Sequence, residues 1–186
     1  MRLIAIILLS FVYSTVTDID GNVYETVQIG DQLWMAENLK ATHYNNGDEI
    51  PKIESDSGWS DLHDEGYCNY DNNDVNAETL GSLYKWYSVV DERGICPTSW
   101  HVPSDNEWME LINYLGGEEL AGENIHTASF NMIMGGYRSG STGGYVNLET
   151  EAYFRSSDET AENYNSEAEV DDGSCEAYCS DADSSQ

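Results

Sequence analysis

The chain is poor in positive charge. Only 7 of its 186 residues are Lys or Arg, against 35 Asp and Glu, for a formal net charge of −28. A surface this negative repels a polyanion, which excludes a nucleic-acid binder that works by neutralising phosphates. It argues equally against adhesion to an anionic membrane. Long apolar runs are missing too. The longest is Leu3 to Tyr13, broken only by Ser10, and a bilayer span needs roughly 20 apolar residues. Zinc-type spacing is also absent. Cys175 and Cys179 have no nearby histidine, and His43, His63, His101 and His126 are scattered, so a structural zinc site is not expected. The acidity does not make the chain disordered, because five Trp and thirteen Tyr supply the apolar mass of one core.

What is present begins at the N-terminus. Met1-Arg2 followed by the short apolar run reads as a secretory signal peptide over 1–14, with cleavage after Ser14 or as late as Thr17. No lipobox cysteine follows. The expected location is secreted or cell-surface. The four cysteines, Cys68, Cys96, Cys175 and Cys179, are then disulfide candidates in an oxidising compartment, with three possible pairings.

Three regions follow from composition. The signal peptide precedes a folded domain over 17–157, and an acidic, mostly flexible tail occupies 158–186. Residues 149–186 carry twelve acids and one base, Arg155. Within the domain, Asp20-Gly21 suits a type I′ hairpin turn. Val23, Val27 and Ile29 then share one strand face, with Tyr24, Thr26 and Gln28 on the other. Gly30-Asp31 suits a II′ turn before a strand at Leu33–Met35. Leu83, Trp86, Tyr87 and Val90 repeat at helical spacing and predict one short helix. Ser104 and Glu107 form a capping box for a second over 105–115, with an apolar stripe at Trp108, Leu111, Ile112 and Leu115 and a stop at Gly116. Glu118–Gly122 adds a further helical turn. The rest reads as short strands and long irregular loops, hence a mixed α+β domain with two short helices and small antiparallel sheets.

Motifs in a fixed order carry a family resemblance. Asp20-Gly21-Asn22-Val23-Tyr24 and Trp34-Met35-Ala36-Glu37-Asn38-Leu39 open it. Tyr44-Asn45-Asn46-Gly47, Tyr67-Cys68-Asn69-Tyr70-Asp71-Asn72 and Gly81-Ser82-Leu83-Tyr84-Lys85-Trp86 follow. The most specific run is Cys96-Pro97-Thr98-Ser99-Trp100-His101-Val102-Pro103-Ser104-Asp105-Asn106-Glu107-Trp108. Tyr114-Leu115-Gly116-Gly117, Gly135-Gly136-Tyr137-Arg138 and Tyr153-Phe154-Arg155-Ser156-Ser157 complete it. Over 17–157 the chain resembles the Fibrobacter succinogenes major paralogous domain. The resemblance implies an exported bacterial domain of C-type lectin-like fold, in the branch shared with formylglycine-generating enzymes. It also implies that the closing C-terminal strand is missing, since no Gly-Phe-Ser-Val-Arg-Cys-like stretch is present, and that the partner of Cys96 is lost with it. Residues 163–176 instead resemble an Asp-Asp-Gly-Ser-Cys motif of bacterial surface proteins.

Site candidates follow from residue chemistry. Trp59, Tyr67, Tyr70, Tyr137 and Tyr145 fall in expected loops, where aromatic faces could meet a sugar. Trp34, Trp86, Trp100 and Trp108 are assigned to packing. Asp71, Asn73, Asp74 and Asn76 form an oxygen-rich loop that could take calcium, the one cofactor considered. Asp171 and Asp172 make a second such loop. His101 is expected to pack and hydrogen-bond at the start of its helix, and Arg138 and Arg155 to pair with buried carboxylates. No catalytic residue is assigned. The expected function is a non-catalytic binding module for a polysaccharide or surface ligand, held on the face made by 41–79 and 130–147. The alternatives are a structural or adhesion module with a cell-surface protein partner, and an enzyme of the formylglycine-generating branch.

Overall fold

The computed structural model describes residues 14–125, 130 and 133–158, and the backbone of 175–176 and 180–181. The expected signal peptide, His126, Asp171, Asp172 and Cys179 lie outside the described residues.

The N-terminal hairpin sets the frame. Strand β1 (Thr15–Thr17) pairs antiparallel with β2 (Val23–Ile29), and β2 pairs with β3 (Gln32–Met35). The first turn differs from the expected type I′. Only Gly21, at φ +85°, has positive φ, so the loop is a longer one. Asp18 organises it. Its carboxylate accepts from the Asn22 backbone at 2.9 Å and from the Tyr24 hydroxyl at 2.6 Å, and its carbonyl accepts from Gly21 N. The second turn is as expected: Gly30 takes φ +61° and Gln32 returns opposite Ile29.

The two faces of β2 are as expected, and both meet neighbours. Tyr24 is fully buried and Val23 exposed, while Ile29 is buried. The hairpin is covered on both sides, so alternation does not separate core from solvent. Tyr24 and Met35 join one core with Leu39, Tyr44, Ile50, Tyr84 and Val102. Ile29 and Trp34 join a second with Leu111, Leu115, Ile125 and Phe130.

Five helices occur among the described residues. They are α1 (Asp56–Ser60), α2 (Asp74–Leu80), α3 (Trp86–Val89), α4 (Asp105–Tyr114) and α5 (Glu118–Asn124). Two of them, α1 and α2, lie beyond the expected helices and the expected helical turn at 118–122. The extra ones span two turns at most and are held by caps rather than by a periodic stripe, which is why periodicity misses them. Ser55 caps α1 and Asn73 caps α2. Helical spacing from Leu83 misleads as well. Leu83–Tyr84 is strand β5, paired with β4 (Tyr67–Cys68), and α3 starts only at Trp86. Helix α4 carries the full capping box, with Ser104 Oγ accepting from Glu107 N and Glu107 accepting from Ser104 N. A cap of this kind stabilises by about 1 kcal/mol.

A closing strand exists, contrary to expectation. Strand β10 (Ser180–Asp181) lies between β3 and β6 (Trp100–His101), with Ser180 opposite both Trp34 and His101. Strand β9 (Cys175–Glu176) pairs with β5. Pairing uses backbone N–H and C=O, which every non-proline residue carries, so a segment without the expected closing sequence can fill the gap. The acidic tail thus contributes strands to two sheets, ordered β1-β2-β3-β10-β6 and β4-β5-β9. Strands β7 (Tyr137–Arg138) and β8 (Tyr145–Val146) form a third.

Candidate functional site

The site is built around one arginine. Arg138 is fully buried on β7. Its Nε donates to Gly143 O at 2.7 Å, Nη1 to Ile53 O at 2.6 Å, and Nη2 to Glu54 O at 2.9 Å and Asp56 Oδ1 at 3.2 Å. Its guanidinium also sits 5.0 Å from the Trp59 ring centre and 4.8 Å from that of Tyr145. The expected carboxylate partner is present but exposed, and most of the work falls to carbonyls. A planar five-donor fork suits three divergent carbonyls as a lysine does not. Segment 53–56 is thereby locked to the β7–β8 hairpin. Gly143 completes the joint. It takes φ +73°, and a Cβ there would lie 2.1 Å from Asp56 O.

The faces at 41–79 and 130–147 are therefore one rim. The Tyr145 hydroxyl donates to Asn72 Oδ1 at 2.7 Å, and the Tyr70 and Tyr145 rings are 4.9 Å apart. Backbone strain collects here. Of five non-glycine residues with positive φ among the described residues, four belong to this rim: Asp71, Asn72, Asn147 and Glu149. Asp and Asn tolerate that conformation; glutamate pays more, and such strain persists only where the surroundings over-determine it.

Beside this joint lies a polar and aromatic cluster. Tyr137 and Tyr153 meet edge to face with ring centres 4.8 Å apart. Glu151 Oε2 accepts from Asn147 Nδ2 at 2.5 Å and from the Tyr153 hydroxyl. Tyr137, Tyr145, Asn147 and Tyr153 are half-buried and Glu151 is exposed. A half-buried aromatic face next to an oriented amide and carboxylate can take the C–H face and hydroxyls of a polyol.

The remaining candidates are placed differently from expectation. Trp59 is fully buried, and Tyr67 and Tyr70 are buried, so these three build the floor and offer no open face. Trp59 lies between cations, with Lys85 Nζ 4.7 Å from its ring centre. Of the five aromatics, Tyr137 and Tyr145 keep part of a face at the surface. Tyr153, Asn147 and Glu151 escape sequence reasoning; the cue was the crowding of Gly and Tyr around Arg138.

The calcium loop is also corrected. Asn73 Oδ1 caps α2 by accepting from Val75 N at 3.1 Å. Asp74 Oδ1 accepts from Lys52 Nζ at 2.5 Å and Asn69 Nδ2 at 2.9 Å, and these bonds hold its carboxyl below the usual range. Asn76 points its amide at Tyr70 O, 2.9 Å away. Asp71 is exposed. Three of the four side chains thus serve the fold, a helix cap and an ion pair taking the place of a cation. Among the described residues no group of three or more His, Cys, Asp or Glu is placed to hold a metal ion.

Cys68 is a free thiol, against its expected place among the disulfides. It is fully buried beneath the rim, and burial raises its pKa despite the nearby Arg138. His101 behaves as expected, with Nε2 2.7 Å from Glu107 Oε1 at the start of α4. Away from the rim an open cleft of about 300 Å³ is lined by Val89, Ile95, Trp100, His101 and Ser157, among others. No helix among the described residues is long and apolar enough to cross a membrane.

A small α+β domain with a five-stranded N-terminal sheet and an arginine-locked rim is the class these features define. The chain belongs to the Fibrobacter succinogenes major domain family, whose model matches residues 27–178. That match runs past the expected domain end at 157 and takes in β9. No curated protein and no solved structure matches the chain.

Proposed function

We propose that this domain is an exported, non-catalytic binding module of lectin-like fold, and that it holds a polysaccharide on the rim made by 70–73 and 137–153. One observation carries the reading: Arg138 fuses two distant segments into a strained rim that presents half-buried tyrosines beside an oriented Asn147–Glu151 pair. The lectin-like fold is supported by β10, which brings the C-terminal end beside the N-terminal hairpin. Export is supported by the leader-like start, and in that compartment Cys96 is expected to be disulfide-bonded. The non-catalytic reading is favoured by the state of Cys68, since a buried thiol with a raised pKa is a poor nucleophile.

A glycan array probed with the full chain tests this. Specific binding is expected, reduced at least tenfold in Tyr137→Ala/Tyr153→Ala. Silence across the array, or binding untouched by the double substitution, rejects the rim as a glycan site. Silence would leave the protein-adhesion alternative as the better reading.

A further inference from the structure

The rim's hydrogen-bonding capacity points to the kind of polysaccharide. Glu151 Oε2 is taken up by Asn147 Nδ2 and the Tyr153 hydroxyl. These two bonds fix the carboxylate plane and turn the Asn147 amide so that its oxygen faces away from Glu151. The groups left over are Glu151 Oε1 and Asn147 Oδ1, both acceptors, and the second hydrogen of Asn147 Nδ2. On the opposite lip, Asn72 gives one amide hydrogen to Glu54 O at 2.7 Å and its oxygen accepts from the Tyr145 hydroxyl. The cations next to the rim are committed. Arg138 is buried against carbonyls, and Lys52 is paired with Asp74 and Glu54. A ligand here must offer groups that donate as well as accept, as hydroxyls do, and must bring no negative charge, because Glu149 and Glu151 are both exposed.

Resting on the polysaccharide reading above, we infer that the rim selects a neutral, hydroxyl-rich glycan, bound without a metal ion. Adjacent hydroxyls donate to Glu151 Oε1 and Asn147 Oδ1 while the sugar's C–H face lies on the Tyr137–Tyr153 pair. Uronic or sulfated chains are refused, since their anions would lie beside carboxylates with no exposed counter-charge. Metal-free binding follows from the same inventory: the oxygens that remain suit two hydroxyls, whereas calcium takes six to eight oxygen ligands.

Affinity electrophoresis of the full chain in EDTA, through gels holding matched glucans, is the test. Hydroxyethyl cellulose and neutral β-1,3-glucan are set against their carboxymethylated forms. Retardation is expected in at least one neutral gel and at least tenfold weaker in its anionic counterpart. Glu151→Gln, which keeps one carbonyl acceptor for the amide and the phenol but turns the remaining oxygen from an acceptor into an NH2 donor, should weaken the neutral interaction about tenfold. Tyr153→Phe should weaken it less and serves as a second, fold-conserving variant. Equal or stronger retardation by the carboxymethylated forms, or binding that appears only when calcium replaces EDTA, overturns the inference and leaves the polysaccharide reading standing. No retardation in any gel overturns both.

Discussion

Replacing Arg138 by methionine separates the role of the three carbonyls from that of Asp56. The side chain is fully buried and gives three of its bonds to Gly143 O, Ile53 O and Glu54 O. A buried acceptor left without its donor costs about 1–3 kcal/mol. Glu54 is exposed and Ile53 partly so, so water can recover part of two of the losses. Methionine keeps the apolar stem, and desolvation of the guanidinium is no longer suffered. The net is about 3 kcal/mol, at the low end of what removing one member of a buried charged network costs. At roughly 3 °C per kcal/mol for a domain of this size, the midpoint should fall by about 9 °C. Asp56→Asn is the control. Its side chain is 69% exposed, and an exposed ion pair contributes about 0–1 kcal/mol, so its midpoint should move by about 3 °C at most. Calorimetric melts of the two variants beside the wild type make the measurement. Equal shifts would refute the argument, because the arginine would then be held by charge pairing rather than by carbonyls. A shift below about 3 °C for Arg138→Met would refute it as well.

Three further outcomes follow from other parts of the fold. Burial raises the Glu107 pKa, but bonds from Ser104 N, Ser104 Oγ and His101 outweigh it and leave the carboxyl below its usual value; its contribution is therefore complete above the unfolded glutamate pKa of about 4.3 and is lost as pH falls through the lowered folded value, so melts across pH 2–7 should show the wild-type advantage over Glu107→Gln constant above about pH 4.3 and shrinking as the pH falls from there. Alkylation of the unfolded, unreduced chain followed by mass spectrometry should label Cys68 and spare Cys96, and label on Cys96 would count against an oxidising compartment. Strand β1 begins at Thr15 and pairs with β2; processing after Thr17 would delete that strand, so N-terminal sequencing of exported protein should read Thr15 first, and a start at Asp18 would contradict this.

What the sequence made legible was whatever a few neighbouring residues decide. The capping box of α4 needs only Ser104 and Glu107, one turn apart, and the II′ turn needs only Gly30. Those features read correctly because no distant group competes for them. Which face of β2 is buried was not legible, because it is decided by what covers the hairpin, and here both sides are covered. Asn73 and Asp74 look like metal ligands in a linear reading, because the sequence does not reveal that Asn73 will cap α2 or that Lys52, 22 residues away, will neutralise Asp74.

The rim shows the same limit in a sharper form. Trp59 lies in a stretch rich in turn residues, and composition alone makes it a surface aromatic. Its burial depends on Arg138, which reaches Ile53 O across 85 residues. Burying that guanidinium is tolerable only if every donor finds an acceptor, and the acceptors it finds are backbone carbonyls of the segment that leads into Trp59. The arginine thus draws Trp59 inward by occupying the carbonyls before it. The aromatics that stay half-exposed, Tyr137, Tyr145 and Tyr153, are those on Arg138's own side of the joint. Loosening that joint should then expose Trp59 and disturb the rim together. If Arg138→Met left indole quenching by acrylamide unchanged while glycan retardation was lost, the link between the buried arginine and the exposed tyrosines would have to be abandoned.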